Sequence, residues 1–245
     1  MPPQPDITAL LLAGGQGTRV RHLLGETPKP MAPVAGRPFI EWILRHLAAQ
    51  GIRHALLSTG HQAKAFADHF DPQPVPNLTI ECIAEPEPLG TAGGLRYAAR
   101  QADHTPSAWL VLNGDSLAFL HLPTLAASLE KSDAVLAARN VPDTTRYGSL
   151  QIDTHQRLQA FREKQPGAGL INAGIYLLRP PLLENLPDKT PLSLETEAFP
   201  DWLRAGHHIE VTELKTPFLD IGTPETLPQA ETFITDHLDQ FLLSP

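Results

Sequence analysis

Cysteine is almost missing from this chain. Cys82 is the single one in 245 residues, so no intrachain disulfide and no cysteine-rich metal site can form. Basic charge is also short: 19 Lys and Arg face 27 Asp and Glu, a formal net charge of −8. No basic stripe offsets that balance, which argues against a nucleic-acid partner. No apolar run has the length of a membrane span, so no membrane partner is expected. Met1–Asp6 lacks both the basic start and the apolar stretch of a secretory leader, and a cytoplasmic protein is expected. There is no internal repeat and no hexapeptide array, which excludes a C-terminal β-helix. The 25 prolines have no period. Pro28, Pro30, Pro33 and Pro38 bracket predicted elements and read as rigid loop punctuation.

What remains is ordinary globular material, 42% apolar and 19% charged, long enough to bury a substantial core. The run Ile7–Ala13 reads as a buried parallel strand. Helical spacing over 38–49, 62–70, 92–100 and 122–131 alternates with strand-like segments at 55–59, 78–83, 109–112 and 134–138. Repeated βαβ patterning of this kind predicts an α/β, Rossmann-like three-layer sandwich with a mainly parallel central sheet. After about residue 140 the pattern loosens. Strands are expected at 149–152, 158–161, 171–178 and 208–213, forming an added smaller sheet region laid over the same core. Thr226–Leu243 suits a closing helix, and without an evident linker the chain 1–245 reads as one domain.

The first strand runs into Gly14-Gly15-Gln16-Gly17-Thr18-Arg19, and Lys29 follows between Pro28 and Pro30. Glycines at a strand's carboxyl end let backbone N–H groups approach an anion without Cβ interference. Arg19 and Lys29 add positive charge at the same mouth, and a triphosphate is the expected guest. A Walker loop is excluded because Thr18-Arg19 stands where Gly-Lys-Ser/Thr is needed. A dinucleotide fingerprint is weak because Val20 replaces the third glycine. By itself, a glycine pair is more often a plain tight turn.

Three further segments carry chemistry. In Glu85-Pro86-Glu87-Pro88-Leu89-Gly90-Thr91, Thr91 is the expected cap of a helix whose N-terminus could take an anion or a base edge. Glu85 or Glu87 could accept from the N1–H and N2–H₂ donors of guanine, although a solvated loop carboxylate is commoner. Val111–Ser116 ends an apolar strand in Asn113-Gly114-Asp115, and a carboxylate there lies in the crevice where open α/β sheets bind ligands. Asp115 is a candidate for Mg²⁺, and Asp220, ending Phe218-Leu219-Asp220, is its candidate partner. The alternatives are a turn-forming aspartate and a buried, hydrogen-bonded one.

Taken together, Gly-Gly-x-Gly-Thr-Arg, Pro-Lys-Pro, Glu-Pro-Leu-Gly-Thr-Ala-Gly, Asn-Gly-Asp, Arg146-Tyr147-Gly148, Glu163-Lys164, Asn172-Ala-Gly-Ile-Tyr and Asp220-Ile-Gly-Thr-Pro-Glu resemble the sugar-1-phosphate nucleotidyltransferases. The likeness runs in order from about Ala9 to Glu225 and, within the family, is strongest to the heptose 1-phosphate guanylyltransferases. His22 departs from the family pattern without removing charge. The resemblance implies an NTP (GTP favoured), a sugar 1-phosphate and Mg²⁺, with UTP and a hexose or muramate 1-phosphate as the other pair. It implies a nucleotide-binding half over about 1–140 and a sugar-phosphate half over about 141–225, and is compatible with a homo-oligomer.

Residue by residue, it implies that Ala13, Gly14, Gly15, Gly17 and Thr18 wrap the nucleotide, with Glu87, Gly90 and Thr91 near base and ribose. Arg19 would meet the β/γ-phosphates and Lys29 the α-phosphate. Asp115 and Asp220 would hold the metal, so that Arg19, Lys29 and Asp115 form the catalytic set. Asn113, Tyr147, Gly148, Glu163, Lys164 and Asn172 would receive the sugar phosphate. A non-catalytic nucleotide-sugar sensor of the same fold is disfavoured, since pure binding would tolerate losing the metal carboxylates.

Overall fold

Ile7–Leu12 lies between two parallel neighbours, His54–Thr59 and Ala108–Asn113, and Thr79–Ala84 extends the parallel set beyond His54–Thr59. In this computed structural model residues 6–15, 17–60, 62–145, 149–162 and 166–242 are described. The first strand is apolar without alternation because both its faces are covered. Ala9 and Leu11 join one core, and Leu10 joins the other. Phe39–Ala49, Ala63–Phe70 and Leu122–Leu129 cover the first face, while Thr91–Gln101, Pro180–Glu184 and Phe199–Arg204 cover the second. The three-layer sandwich expected from the βαβ pattern is therefore present. Phe39, Ile40, Ile43, Leu44 and Leu47 are all completely buried. Burial of each such side chain is worth about 1.5–3 kcal/mol, which anchors the helix that follows the Lys29 loop.

The strands of the second half join the edge of this same sheet. Ile175–Leu178 pairs antiparallel with Ala108–Asn113, while the whole strand Gly169–Leu178 runs antiparallel to Ala134–Val141. Register shifts between Asn172 and Ile175, where Gly174 has φ +70°. That irregularity turns the strand's first half toward the hairpin of Ser149–Ile152 and Leu158–Arg162. Ile209–Glu213 closes the edge in parallel with Ala134–Val141. Two small antiparallel pairs stand apart: Pro33–Val34 with Arg37–Pro38, and Ser116–Ala118 with Phe218–Asp220.

Two local expectations are corrected. The closing helix is broken into Leu227–Gln229, Ala230–Thr235 and Leu238–Phe241. His237 leaves helical backbone at φ −130°, and Phe241 then packs edge-on against Trp42 at 5.0 Å and Phe119 at 5.7 Å. Aromatic burial outweighs helix continuity here. Thr91 is not the cap of its helix: Gly90 is, and Thr91 is the first helical residue. No helix among the described residues is long and apolar enough to cross a membrane.

Candidate active site

The loops that leave the parallel strands at their carboxyl ends meet at one crevice, as expected for an open α/β sheet. Ala13, itself buried, donates its N–H to the Ser58 carbonyl at 2.8 Å, binding the glycine loop to the end of the neighbouring strand. Gly14 is required by this contact. A Cβ there would lie 3.0 Å from the Gly60 backbone nitrogen and 3.1 Å from Glu85 Oε1. Gly17 combines φ +56° with a Cβ position 2.9 Å from Lys29 Cβ. At Gly15, by contrast, a Cβ would meet nothing within 4 Å, so this stretch of backbone faces open space.

Two cavities open on the crevice. The first, about 460 Å³, is bounded by Gly14, Gly15, Gly17, Lys29, Glu85 and Glu87. The second, about 400 Å³, is bounded by Lys29, Gly90, Thr91, Asn113, Asp115 and Glu195. Gly14, Gly15, Lys29, Glu85 and Pro88 belong to both walls, so the cavities share a boundary and Lys29 stands on it. Pro28, Lys29 and Pro30 fold into a tight turn in which Met31 N–H donates to the Pro28 carbonyl at 2.8 Å. The prolines fix that turn, and the lysine side chain is directed inward with only 10% exposure.

Lys29 Nζ is ion-paired with Asp115. Asp220 is brought beside this pair by the Ser116–Phe218 mini-sheet, in which Asp220 sits opposite Ser116 and Ile221 N–H donates to the Asp115 carbonyl at 3.0 Å. Burial, and then the charge of Asp115, push the Asp220 carboxyl above its ordinary value. Lys29, the Gly222 N–H at 2.6 Å and Arg19 act in the opposite direction. Two mutually repelling carboxylates beside phosphate-sized space fit a hard divalent cation, which takes one or two carboxylates and completes its shell with phosphate and water. Among the described residues no third His, Cys, Asp or Glu joins them.

Other expected residues divide. Thr18 and Arg19 are exposed. Arg19 lines neither cavity and stands beyond Asp220, its Nη2 3.4 Å from where a Gly222 Cβ would be. The expected anion-receiving helix N-terminus is already occupied, because the Leu192 carbonyl accepts from Ala92 N–H at 2.9 Å and Gly93 N–H at 3.3 Å. Gly90, at φ +78°, is glycine to admit the Leu192 segment, since a Cβ would fall 2.5 Å from the Leu192 oxygen. Asn172 spends its amide on Gly174 N–H and Tyr176. Tyr147, Gly148, Glu163 and Lys164 lie outside the described residues.

Of the two acidic candidates in the proline segment, Glu87 is exposed in the first cavity, whereas Glu85 is half-buried. Glu85 accepts from Ser58 Oγ at 2.8 Å and Leu89 N–H at 3.3 Å, so its carboxylate is held in one orientation. Glu195, in the wall of the second cavity, carries no motif that marks it in the sequence. Its segment is distant in sequence, and the one available cue is an acid next to the apolar Leu194.

The chain belongs to the nucleotidyl transferase family, whose model matches residues 8–237. It is 33% identical over 229 residues to a mannose-1-phosphate guanylyltransferase of Mycobacterium tuberculosis, covering 90% of this chain and 62% of that one. It is 31% identical over 218 residues to a D-glycero-α-D-manno-heptose 1-phosphate guanylyltransferase of Campylobacter jejuni, covering 89% and 95%. The chain thus spans less than two thirds of the mycobacterial relative and nearly all of the Campylobacter one. Among solved structures, HddC from Yersinia pseudotuberculosis, complexed with GMP-PN, superposes with a TM-score of 0.83 at 32% identity. That match covers 93% of this chain and 99% of HddC.

Proposed function

We propose that this chain transfers a guanylyl group from GTP to a sugar 1-phosphate and releases pyrophosphate, with Mg²⁺ as its metal and a cytoplasmic location. A D-glycero-α-D-manno-heptose 1-phosphate is the favoured acceptor. Lys29 on the shared boundary of two cavities, between Asp115 and the neighbouring Asp220, carries this reading. The first cavity takes the nucleotide and the second the acceptor. An oxygen of the sugar phosphate attacks the α-phosphorus, and a new P–O bond forms. The bond to the oxygen bridging the α- and β-phosphates breaks, its electron pair leaving on pyrophosphate.

This reaction joins two anions, so positioning and charge neutralisation are the enzyme's main tasks. Lys29 holds a fixed positive charge where donor and acceptor meet. When bound by Asp115 and Asp220, Mg²⁺ would withdraw charge from the phosphates. Gly15 offers open backbone to the triphosphate, and Arg19 takes its outer end. Glu85 accepts from guanine N1–H and N2–H₂, donors that uracil does not present as a pair. Glu87 borders the nucleoside, while Gly90 and Thr91, which line only the second cavity, lie on the acceptor side. Asn113, Tyr147, Gly148, Glu163 and Lys164 keep the acceptor roles implied by the resemblance.

The guanine preference draws support from relatives that are named guanylyltransferases and from the GMP-PN complex of HddC. Incubation of the purified chain with Mg²⁺, each NTP and a panel of sugar 1-phosphates, read by pyrophosphate release, tests the proposal. The panel includes heptose, mannose, glucose and N-acetylmuramate 1-phosphates. GTP with the heptose compound should give the highest kcat/KM. Release with no pair overturns the enzyme reading, and release with UTP alone overturns the guanine preference.

A further inference from the structure

A polar chain through the buried Tyr176 ends on Glu195 in the wall of the acceptor cavity, and its proton directions follow from one backbone N–H. Gly174 N–H can only donate, so the Asn172 atom it meets at 2.9 Å is the carbonyl Oδ1. Asn172 Nδ2 therefore points the other way and donates to the Tyr176 hydroxyl at 2.6 Å. Tyr176 is completely buried, and that burial pushes its phenol well above the usual range, so it keeps its single proton. With its oxygen already accepting, that proton goes to Glu195 Oε1 at 3.3 Å.

The other carboxylate oxygen is held in the same manner. Thr91 Oγ1 accepts from Leu194 N–H at 2.7 Å, which leaves its proton for Glu195 Oε2 at 3.4 Å. Glu195 stands in a widened helical turn, Leu194–Ala198, with Ala198 N–H reaching back to the Ser193 carbonyl at 3.0 Å. Such π-turns recur where a side chain must be aimed. Each Glu195 oxygen thus takes one donor from the protein and retains acceptor capacity for the cavity. An anionic acceptor facing this space repels phosphate and suits a neutral hydroxyl, while Lys29 on the shared wall suits the phosphate.

We propose that Glu195 reads a ring hydroxyl of the acceptor sugar, and that Tyr176 and Asn172 are positioning residues that act on the acceptor only through Glu195. This rests on the guanylyltransferase reading above. Asn172 is then a support for acceptor recognition and does not itself touch the sugar.

Steady-state kinetics on Tyr176→Phe, Asn172→Asp and Glu195→Gln, with wild type established as active first, tests the idea. Tyr176→Phe removes the donor, and Asn172→Asp offers the phenol a competing carboxylate, so both should loosen Glu195. Each should raise the KM for the sugar 1-phosphate about tenfold, with the KM for GTP within about twofold. A panel of monodeoxy sugar 1-phosphates supplies the second readout. One deoxy compound should lose about tenfold or more in kcat/KM with wild type, and that loss should shrink toward unity in Glu195→Gln.

An unchanged acceptor KM in all three variants overturns the proposal. So does an equal rise in both KM values, which would mean only general loosening. If Tyr176→Phe fails to fold, Asn172→Asp and the deoxy panel still decide. Absence of activity in wild type with every pair would instead overturn the underlying enzyme reading.

Discussion

Asp115 and Asp220 come from chain segments about a hundred residues apart, yet the Asp115 carbonyl accepts the N–H of Ile221, the residue after Asp220, at 3.0 Å. The two-stranded pairing of Ser116–Ala118 with Phe218–Asp220 makes this possible and holds both carboxylates near Lys29. Asp115→Asn should therefore lower kcat by roughly a hundredfold or more while the fold survives. Pyrophosphate release alongside circular dichroism is the check. Near-normal turnover would remove Asp115 from the metal role.

Asp220 gives a pH signature. Its carboxyl is raised above the usual range by burial and Asp115, so the native state holds that proton more tightly than the unfolded chain does. The linkage contribution is then fully present below the unfolded value and is lost as pH rises through the raised native one. At about pH 7, metal-free Asp220→Asn should melt a few degrees above wild type, and at about pH 3 the two should coincide. Mg²⁺ should raise the melting temperature of wild type more than that of the variant. A variant that melts lower than wild type at both pH values would contradict this account.

Glu85, fixed by Ser58 and Leu89, is the base-reading carboxylate in this proposal. Glu85→Gln should cut kcat/KM for GTP by about ten- to a hundredfold and narrow the gap to UTP. Exposed Glu87→Gln should change it by less than about threefold. Competition between the two nucleotides in one reaction measures both effects.

Gly90 joins the helix Thr91–Gln101 to the wall of the second cavity. Its φ of +78° and the 2.5 Å approach of a Cβ to the Leu192 oxygen leave alanine nowhere to fit. Gly90→Ala should cost about 2–4 kcal/mol in urea unfolding. It should also raise the acceptor KM, because Leu192–Leu194 leads directly into Glu195. Unaltered stability would show that the Leu192 segment yields easily.

Much of the site was readable because one strand and the loop leaving it are local objects. Ile7–Ala13 is apolar on both faces, so it had to be a covered parallel strand. The glycines after it, and Lys29 between two prolines, declare their backbone constraints within a few residues. Helical spacing at 226–243 predicts one closing helix, because it does not reveal that Phe241 gains more by reaching Trp42 and Phe119. Thr91 reads as a cap by type, but its hydroxyl is drawn instead to Leu194 N–H and Glu195.

The amino-acid sequence by itself determined the α/β layering, the glycine loop with its lysine, and the two strand-ending aspartates. Each follows from short-range rules of periodicity, φ freedom and charge. Only the tertiary structure decided which acids share a wall. It set Asp115 against Lys29, turned Glu85 inward while leaving Glu87 in solvent, and brought Glu195 from a distant segment into the second cavity. The physical reason is that ion pairing, burial and directed hydrogen bonds depend on distances of a few ångströms, which chain closure fixes and sequence separation does not.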